Sequence, residues 1–139
     1  GGGAAGGWVK GDGGAALDGR SVQYVQAHGT ATPKGDASEA LALHRIFGGA
    51  VPIGSVKGAL GHWIAGAGAL GLLCAIEAVS SGGTAARGRQ FPTVGLAEAD
   101  AGCPGWHLRE TQYEAVNAAL VNAFGFGGGN VSVRVERVS

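Results

Sequence analysis

The stretch from Trp63 to Ile76 contains no charged residue, and Gly66, Gly68 and Gly71 stand among its alanines and leucines. A surface helix keeps a polar face, whereas a helix that is apolar all round belongs inside a protein. The run is shorter than the about 18 apolar residues that span a membrane. It therefore predicts a buried core helix running to Val79 and stopped by Ser81-Gly82-Gly83. Just ahead of it, Ser55-Val56-Lys57-Gly58-Ala59-Leu60-Gly61-His62 reads as a small-residue turn. That turn sets Lys57 and His62 at the mouth of a buried element, where a desolvated, perturbed pair would be useful.

Such a helix needs surroundings, and 139 residues suffice for one domain with a core of its own. Charged residues make up only 14% of the chain, against a typical ~25%. Few charges remain to coat a free surface, so much of the exterior is expected to lie against another segment or a partner. The formal net charge of +0 offers no electrostatic case for nucleic acid or an anionic membrane. No methionine occurs, so Gly1 is not an unprocessed initiator, and the chain reads as a fragment or a processed product. Residues 1–20 are rich in glycine and alanine and read as a flexible lead-in, leaving 21–139 as the domain. No signal peptide is visible, and Cys74 and Cys103 are expected to be reduced thiols of a cytoplasmic protein.

Ser21–Ala27 alternates apolar and polar β-formers and predicts a strand. It runs into His28-Gly29-Thr30-Ala31-Thr32-Pro33, a polar loop at the strand's C-terminal end, where α/β proteins place ligand groups. A helix follows from Gly35-Asp36, with Asp36 and Glu39 as a capping-box-like pair and Ala37, Ala40, Leu41 and His44 on one face. Gly48-Gly49 ends it. Val51–Ser55 reads as a short buried strand, 84–105 as loop, Trp106–Arg109 as a short strand and Ala115–Asn122 as a central strand. Val131–Val138 alternates as a last strand, joined to the one before by a glycine turn. The order strand–helix–strand–helix–strand–strand predicts an α/β layered, mixed β-sheet with covering helices.

Three polar clusters each follow a strand: His28/Thr30/Thr32, Lys57/His62 and Asn122/Phe124/Phe126/Asn130. Loops at equivalent strand ends converge, and two histidines with a lysine could donate hydrogen bonds to a developing oxyanion or move a proton. Taken singly, each has a plainer reading. A histidine after a strand is more often a structural hydrogen-bonding group, Asp36 and Glu39 cap a helix, and Phe124 and Phe126 anchor a tight turn. His28, Asp36, His44 and His62 match no compact metal-ligand spacing. Gly125–Gly129 lacks the lysine–hydroxyl ending of a phosphate loop and leads into a strand.

Together, His28-Gly29-Thr30-Ala31-Thr32 with Gly35-Asp36 and Glu39, Lys57 and His62 in their Ser-Val-Lys…Leu-Gly-His frame, and Asn122-Ala-Phe-Gly-Phe-Gly-Gly-Gly-Asn130 resemble the β-ketoacyl synthases. These are the decarboxylating condensing enzymes of fatty acid and polyketide assembly, and the resemblance covers the C-terminal half of their thiolase-like fold. It implies that His28 and His62 bind and decarboxylate a malonyl thioester, with Lys57 supporting them and Glu39 as its ion-pair partner. Thr30 and Thr32, with Phe124, would contact phosphopantetheine, and Phe126 would gate the site and lend its N–H to an oxyanion hole. No covalently bound cofactor is implied, since an acyl carrier protein delivers the phosphopantetheine thioester. The other implied partners are an N-terminal ketosynthase half and a second subunit in a homo- or heterodimer. The family's nucleophilic cysteine lies in that other half, in an elbow that this sequence lacks, so the chain alone is not expected to complete a condensation. Two alternatives stand beside this reading: a non-catalytic subunit like a chain-length factor, and an inactive truncated fragment.

Overall fold

A computed structural model of the chain describes residues 22–80 and 87–137. The glycine-rich lead-in and the Ser81-Gly82-Gly83 stop lie outside the described residues. Within them run β1 (Tyr24–Gln26), α1 (Pro33–Phe47), β2 (Pro52–Gly54), the single turn α2 (Lys57–Leu60), a 3-10 turn (Ile64–Gly66) and α3 (Ala67–Ser80). There follow β3 (Gly88–Gln90), β4 (Trp106–His107), β5 (Gln112–Glu114), β6 (Ala118–Phe124) and β7 (Asn130–Glu136).

Strands flanked by helices on both faces bury both sets of side chains, and β1, β2 and most of β6 are buried throughout. They form a five-stranded sheet in the order β4-β2-β1-β6-β7. The first four are parallel and β7 returns antiparallel beside β6. On one face Val22, Val25, Ile53 and Leu120 pack with Leu43 of α1. On the other, Tyr24, Ala119 and Val121 pack with Ala75, Ala78 and Val79 of α3. The layered α/β arrangement with a mixed sheet matches the expectation.

Three details differ from the sequence-based expectation. The segment expected to be loop pairs β3 with β5 in an antiparallel ribbon, where the Arg89 guanidinium lies 5.9 Å from the rings of both Phe91 and Tyr113. Strands of three residues are too short to carry a period. Next, α1 starts earlier, at Pro33 with Thr32 at the N-cap and no side-chain cap bond, because proline is favoured in a first helical turn. Asp36 and Glu39 therefore form no capping box. Glu39, Ala40 and Leu43 make the buried face, while Leu41 and His44 are exposed.

The apolar helix departs furthest. It begins only at Ala67, after the 3-10 turn Ile64–Gly66, and within it only Gly71, Cys74, Ala75, Ala78 and Val79 are buried. Leu73 is 62% exposed, and Leu72, Ile76, Trp63 and Ile64 are exposed beside it. One sheet can cover only one side of a helix, and among the described residues nothing covers the other.

Candidate active site

Because β2, β1 and β6 are parallel neighbours, their C-terminal ends bring the three polar loops side by side. The His28 ring meets the His62 ring edge-on at 5.7 Å between centroids and the Phe124 ring at 5.2 Å.

Every backbone polar group of His28 is held. Its N–H donates to Glu39 Oε1 at 2.9 Å, the Gly29 N–H donates to Glu39 Oε2 at 3.0 Å, and Lys57 Nζ donates to the His28 carbonyl. The carboxylate of Glu39, buried in the chain, also accepts from Asn122 Nδ2 at 2.9 Å. The expected Lys57–Glu39 ion pair is replaced by these bonds: amide donors occupy the carboxylate, and Lys57 reaches a carbonyl instead. Ser55 joins the same knot, donating its hydroxyl to Gly29 O at 3.3 Å.

Backbone amides also set both rings. The Phe124 N–H donates to His28 Nδ1 at 3.3 Å and the Ile64 N–H to His62 Nδ1 at 2.9 Å. A ring nitrogen that accepts carries no proton, so each neutral imidazole holds its proton on Nε2 and offers it as a donor. Two Nε2–H groups at adjoining rings are suited to stabilising negative charge that develops on an oxygen. The turns that aim them are strained: Ala31, in the loop after His28, and Ile64, two residues beyond His62, have φ of 61° and 50°. Side chains with a Cβ rarely adopt this left-handed region, and such strain gathers at functional sites.

Burial lowers the pKa of His28 below the ordinary imidazole value, and its electrostatic interactions with Lys57 and then His62 lower it further. Burial likewise lowers Lys57, outweighing the attraction of Glu39 and Asp36. His28 thus stays a neutral donor over a wider pH range. The folded chain binds this proton less readily than the unfolded chain. The stability linked to His28 is therefore present above the ordinary imidazole pKa of about 6.5 and is lost as pH falls through the folded value. Lys57→Met removes one of the positive charges facing His28, so NMR titration should show the His28 pKa moving up towards its ordinary value. An unchanged or lower pKa would contradict this account.

Thr30, Thr32, Lys57 and His62 line a cleft of about 560 Å³, whose far wall comes from the segment 93–100. The two threonine hydroxyls lie 3.2 Å apart. His28, Phe124 and Phe126 stand outside its lining. Phe126 is 99% exposed on the turn between β6 and β7, followed by Gly127 and Gly128 at φ of 86° and 88°. Phe124, by contrast, packs on His28. Among the described residues no three of His, Cys, Asp and Glu gather as metal ligands, and no helix is long and apolar enough to cross a membrane.

Both cysteines are free. Burial, then Glu77, raises the Cys74 pKa, while burial, then Asp100 and Asp36, raises that of Cys103. Neither has the electropositive surroundings of an activated thiol.

The sequence reading missed Ser55 and Ser132. A hairpin register counted outward from the glycine turn would have found the second, since Phe124 pairs with Asn130 and Asn122 with Ser132.

A family profile described as "Beta-ketoacyl synthase, C-terminal domain" matches residues 13–87, more than half of the chain and including both histidines. The chain belongs to the β-ketoacyl synthase family. It is 34% identical over 121 residues to the 3-oxoacyl-[acyl-carrier-protein] synthase 2 of Coxiella burnetii, covering 84% of this chain and 28% of that protein. It is 36% identical over 131 residues to a highly reducing polyketide synthase of Alternaria alternata, covering 89% of this chain and 5% of that one. Among solved structures, a β-ketoacyl synthase from Burkholderia phymatum superposes with a TM-score of 0.74 at 33% identity, over 88% of this chain and 29% of that one. The ishigamide ketosynthase/chain length factor superposes with a TM-score of 0.78 at 25% identity, over 86% and 29%. The fold is that of the ketosynthases, and the chain spans under a third of the length of these synthases. The family consists of acyltransferases that condense thioesters.

Proposed function

We propose that this chain forms the decarboxylating half of a β-ketoacyl-(acyl carrier protein) synthase, with His28 and His62 as its catalytic donors. The meeting of two imidazole rings, each with its Nδ1 taken by a backbone amide, carries this reading. The malonyl thioester carbonyl accepts from both. The bond from the α-carbon to the carboxylate breaks, CO2 leaves, and the electron pair forms an enolate whose oxygen the two donors stabilise. The enolate carbon then attacks an acyl thioester, expelling a cysteine thiolate.

That cysteine comes from elsewhere, since both thiols of this chain have raised pKa values. Lys57 holds the His28 carbonyl and Glu39 the His28 and Gly29 amides, which makes both positioning groups of the site. Thr30 and Thr32 line the cleft in which the phosphopantetheine arm of an acyl carrier protein would lie. Phe126, exposed between glycines, gates the site, and its N–H serves as an oxyanion donor. Phe124 contributes less to substrate than to fixing the His28 ring. The matching setting is the cytosol, in a homo- or heterodimer.

The remaining partner is the N-terminal ketosynthase half. The exposed stripe of Leu72, Leu73 and Ile76 on α3 is the face it would cover, which accounts for a helix whose sequence is apolar all round. Leu73→Asp should abolish co-purification with such a half while leaving the melting temperature of the chain itself unchanged. Persistent association would remove α3 from the interface.

The direct test co-expresses residues 21–139 with a matching N-terminal half and measures CO2 release from malonyl thioester. Absence of release, or release that survives both His28→Ala and His62→Ala, would overturn the assignment. Silence of the complex with both histidines intact would favour the subunit like a chain-length factor.

A further inference from the structure

The Glu39 carboxylate that fixes the His28 turn is itself held by the β6–β7 pair, on the face of the sheet that α1 covers. Asn122 is 4% exposed, donates Nδ2 to Glu39 Oε1 at 2.9 Å, and accepts the Ser132 hydroxyl on Oδ1 at 2.8 Å. Ser132 stands opposite Asn122 in the β6–β7 register, on the last strand. We infer that Ser132 is a positioning residue for His28, acting through Asn122 and Glu39.

A carboxylate only accepts and a carbonyl oxygen only accepts, so the Asn122 amide can satisfy both neighbours in one orientation alone. Its Nδ2 must face Glu39, which turns Oδ1 towards Ser132 and makes the hydroxyl the donor. Without that hydroxyl, Oδ1 is a buried acceptor with no partner, a situation that costs more than an average hydrogen bond contributes. Asn122 regains a partner only by moving, and movement takes Nδ2 from Glu39. Glu39 is then held by the His28 and Gly29 amides alone, and the turn it clamps loosens with it. The second hold on His28 weakens too, because the Phe124 N–H that sets its ring lies two residues along the same strand from Asn122.

The inference deepens the proposed role of His28 and rests on that role for its catalytic meaning. Its test needs no turnover, so failure here and failure of the decarboxylation assignment are distinguishable. Amide hydrogen exchange and the imidazole ¹⁵N shifts of His28 would be followed in the 139-residue chain. Ser132→Ala should speed exchange of the His28 and Gly29 amides by about tenfold relative to those of Val25 and Leu120. It should also lower the share of the Nε2–H tautomer at His28. Ser132→Thr, which keeps the hydroxyl on a strand-favouring residue, should restore both. Exchange that rises equally at Val25 and Leu120 would mark Ser132 as a general stabiliser and overturn the inference. So would unchanged exchange at His28 and Gly29, or a threonine variant that behaves like alanine.

Discussion

Replacing His28 by alanine should lower malonyl-thioester decarboxylation in the assembled enzyme by roughly 10²–10³-fold, the effect of losing one oriented oxyanion donor. The fold should survive, because the bonds that shape the turn are made by the backbone. Glu39 takes the residue 28 N–H and Lys57 reaches the residue 28 carbonyl, and alanine keeps both groups. The structural losses are local: the Phe124 N–H gives up its ring acceptor at a cost of about 1 kcal/mol, and the Phe124 and His62 rings lose a neighbour. His62→Ala should have a comparable effect, and the two together less than the product, since both donors serve one oxygen. CO2 release and thermal melting measured side by side would decide the matter. A variant that loses activity only as it unfolds would not support the donor role.

A large loss of stability is expected from Gly54→Ala. A Cβ at Gly54 would stand 1.8 Å from the carbonyl oxygen of Phe91 and 3.3 Å from the Tyr24 hydroxyl. Side chains can turn away from an intruder, but here the obstacle is backbone. Gly54 lies in β2 beside Gln26, and its carbonyl accepts from the Ala27 N–H at 2.8 Å, so the strand cannot retreat without opening the sheet next to His28. The expected cost is at least about 3 kcal/mol. That corresponds to a fall of roughly 10 °C in melting temperature. Gly129→Ala is the matched control, because a Cβ there meets nothing within 4 Å. Equal melting temperatures for the two variants would refute the packing argument.

Part of the candidate site is legible in the sequence. His28, Lys57, His62 and Phe126 each sit where a predicted strand gives way to small or polar residues, and the parallel neighbours β2, β1 and β6 bring those ends together. Glu39 was singled out for the wrong contacts. Its spacing from Asp36 fits a helix cap, and its charge suits a lysine partner, but Pro33 moves the helix start back and leaves the carboxylate facing two amides and Asn122. Ser132 reads as a lone serine on an alternating strand until the hairpin register sets it opposite Asn122.

By itself the sequence determined where strands yield to loops and which residues could carry chemistry there, because periodicity, glycine placement and side-chain type are local properties. It also left α3 with almost no polar face, which predicts burial on every side and does not mark the one side that the sheet covers. Only the tertiary structure decided which backbone amides set the two histidine rings and which donors saturate Glu39. Those bonds join residues as far apart in the chain as Glu39 and Asn122 or His28 and Phe124. A hydrogen bond depends on distances of a few tenths of an ångström and on direction, and no local pattern encodes either. The turn from Lys57 to His62 shows the division: its composition marks it as a candidate site, while the left-handed Ile64 whose N–H holds His62 Nδ1 appears only in the folded chain.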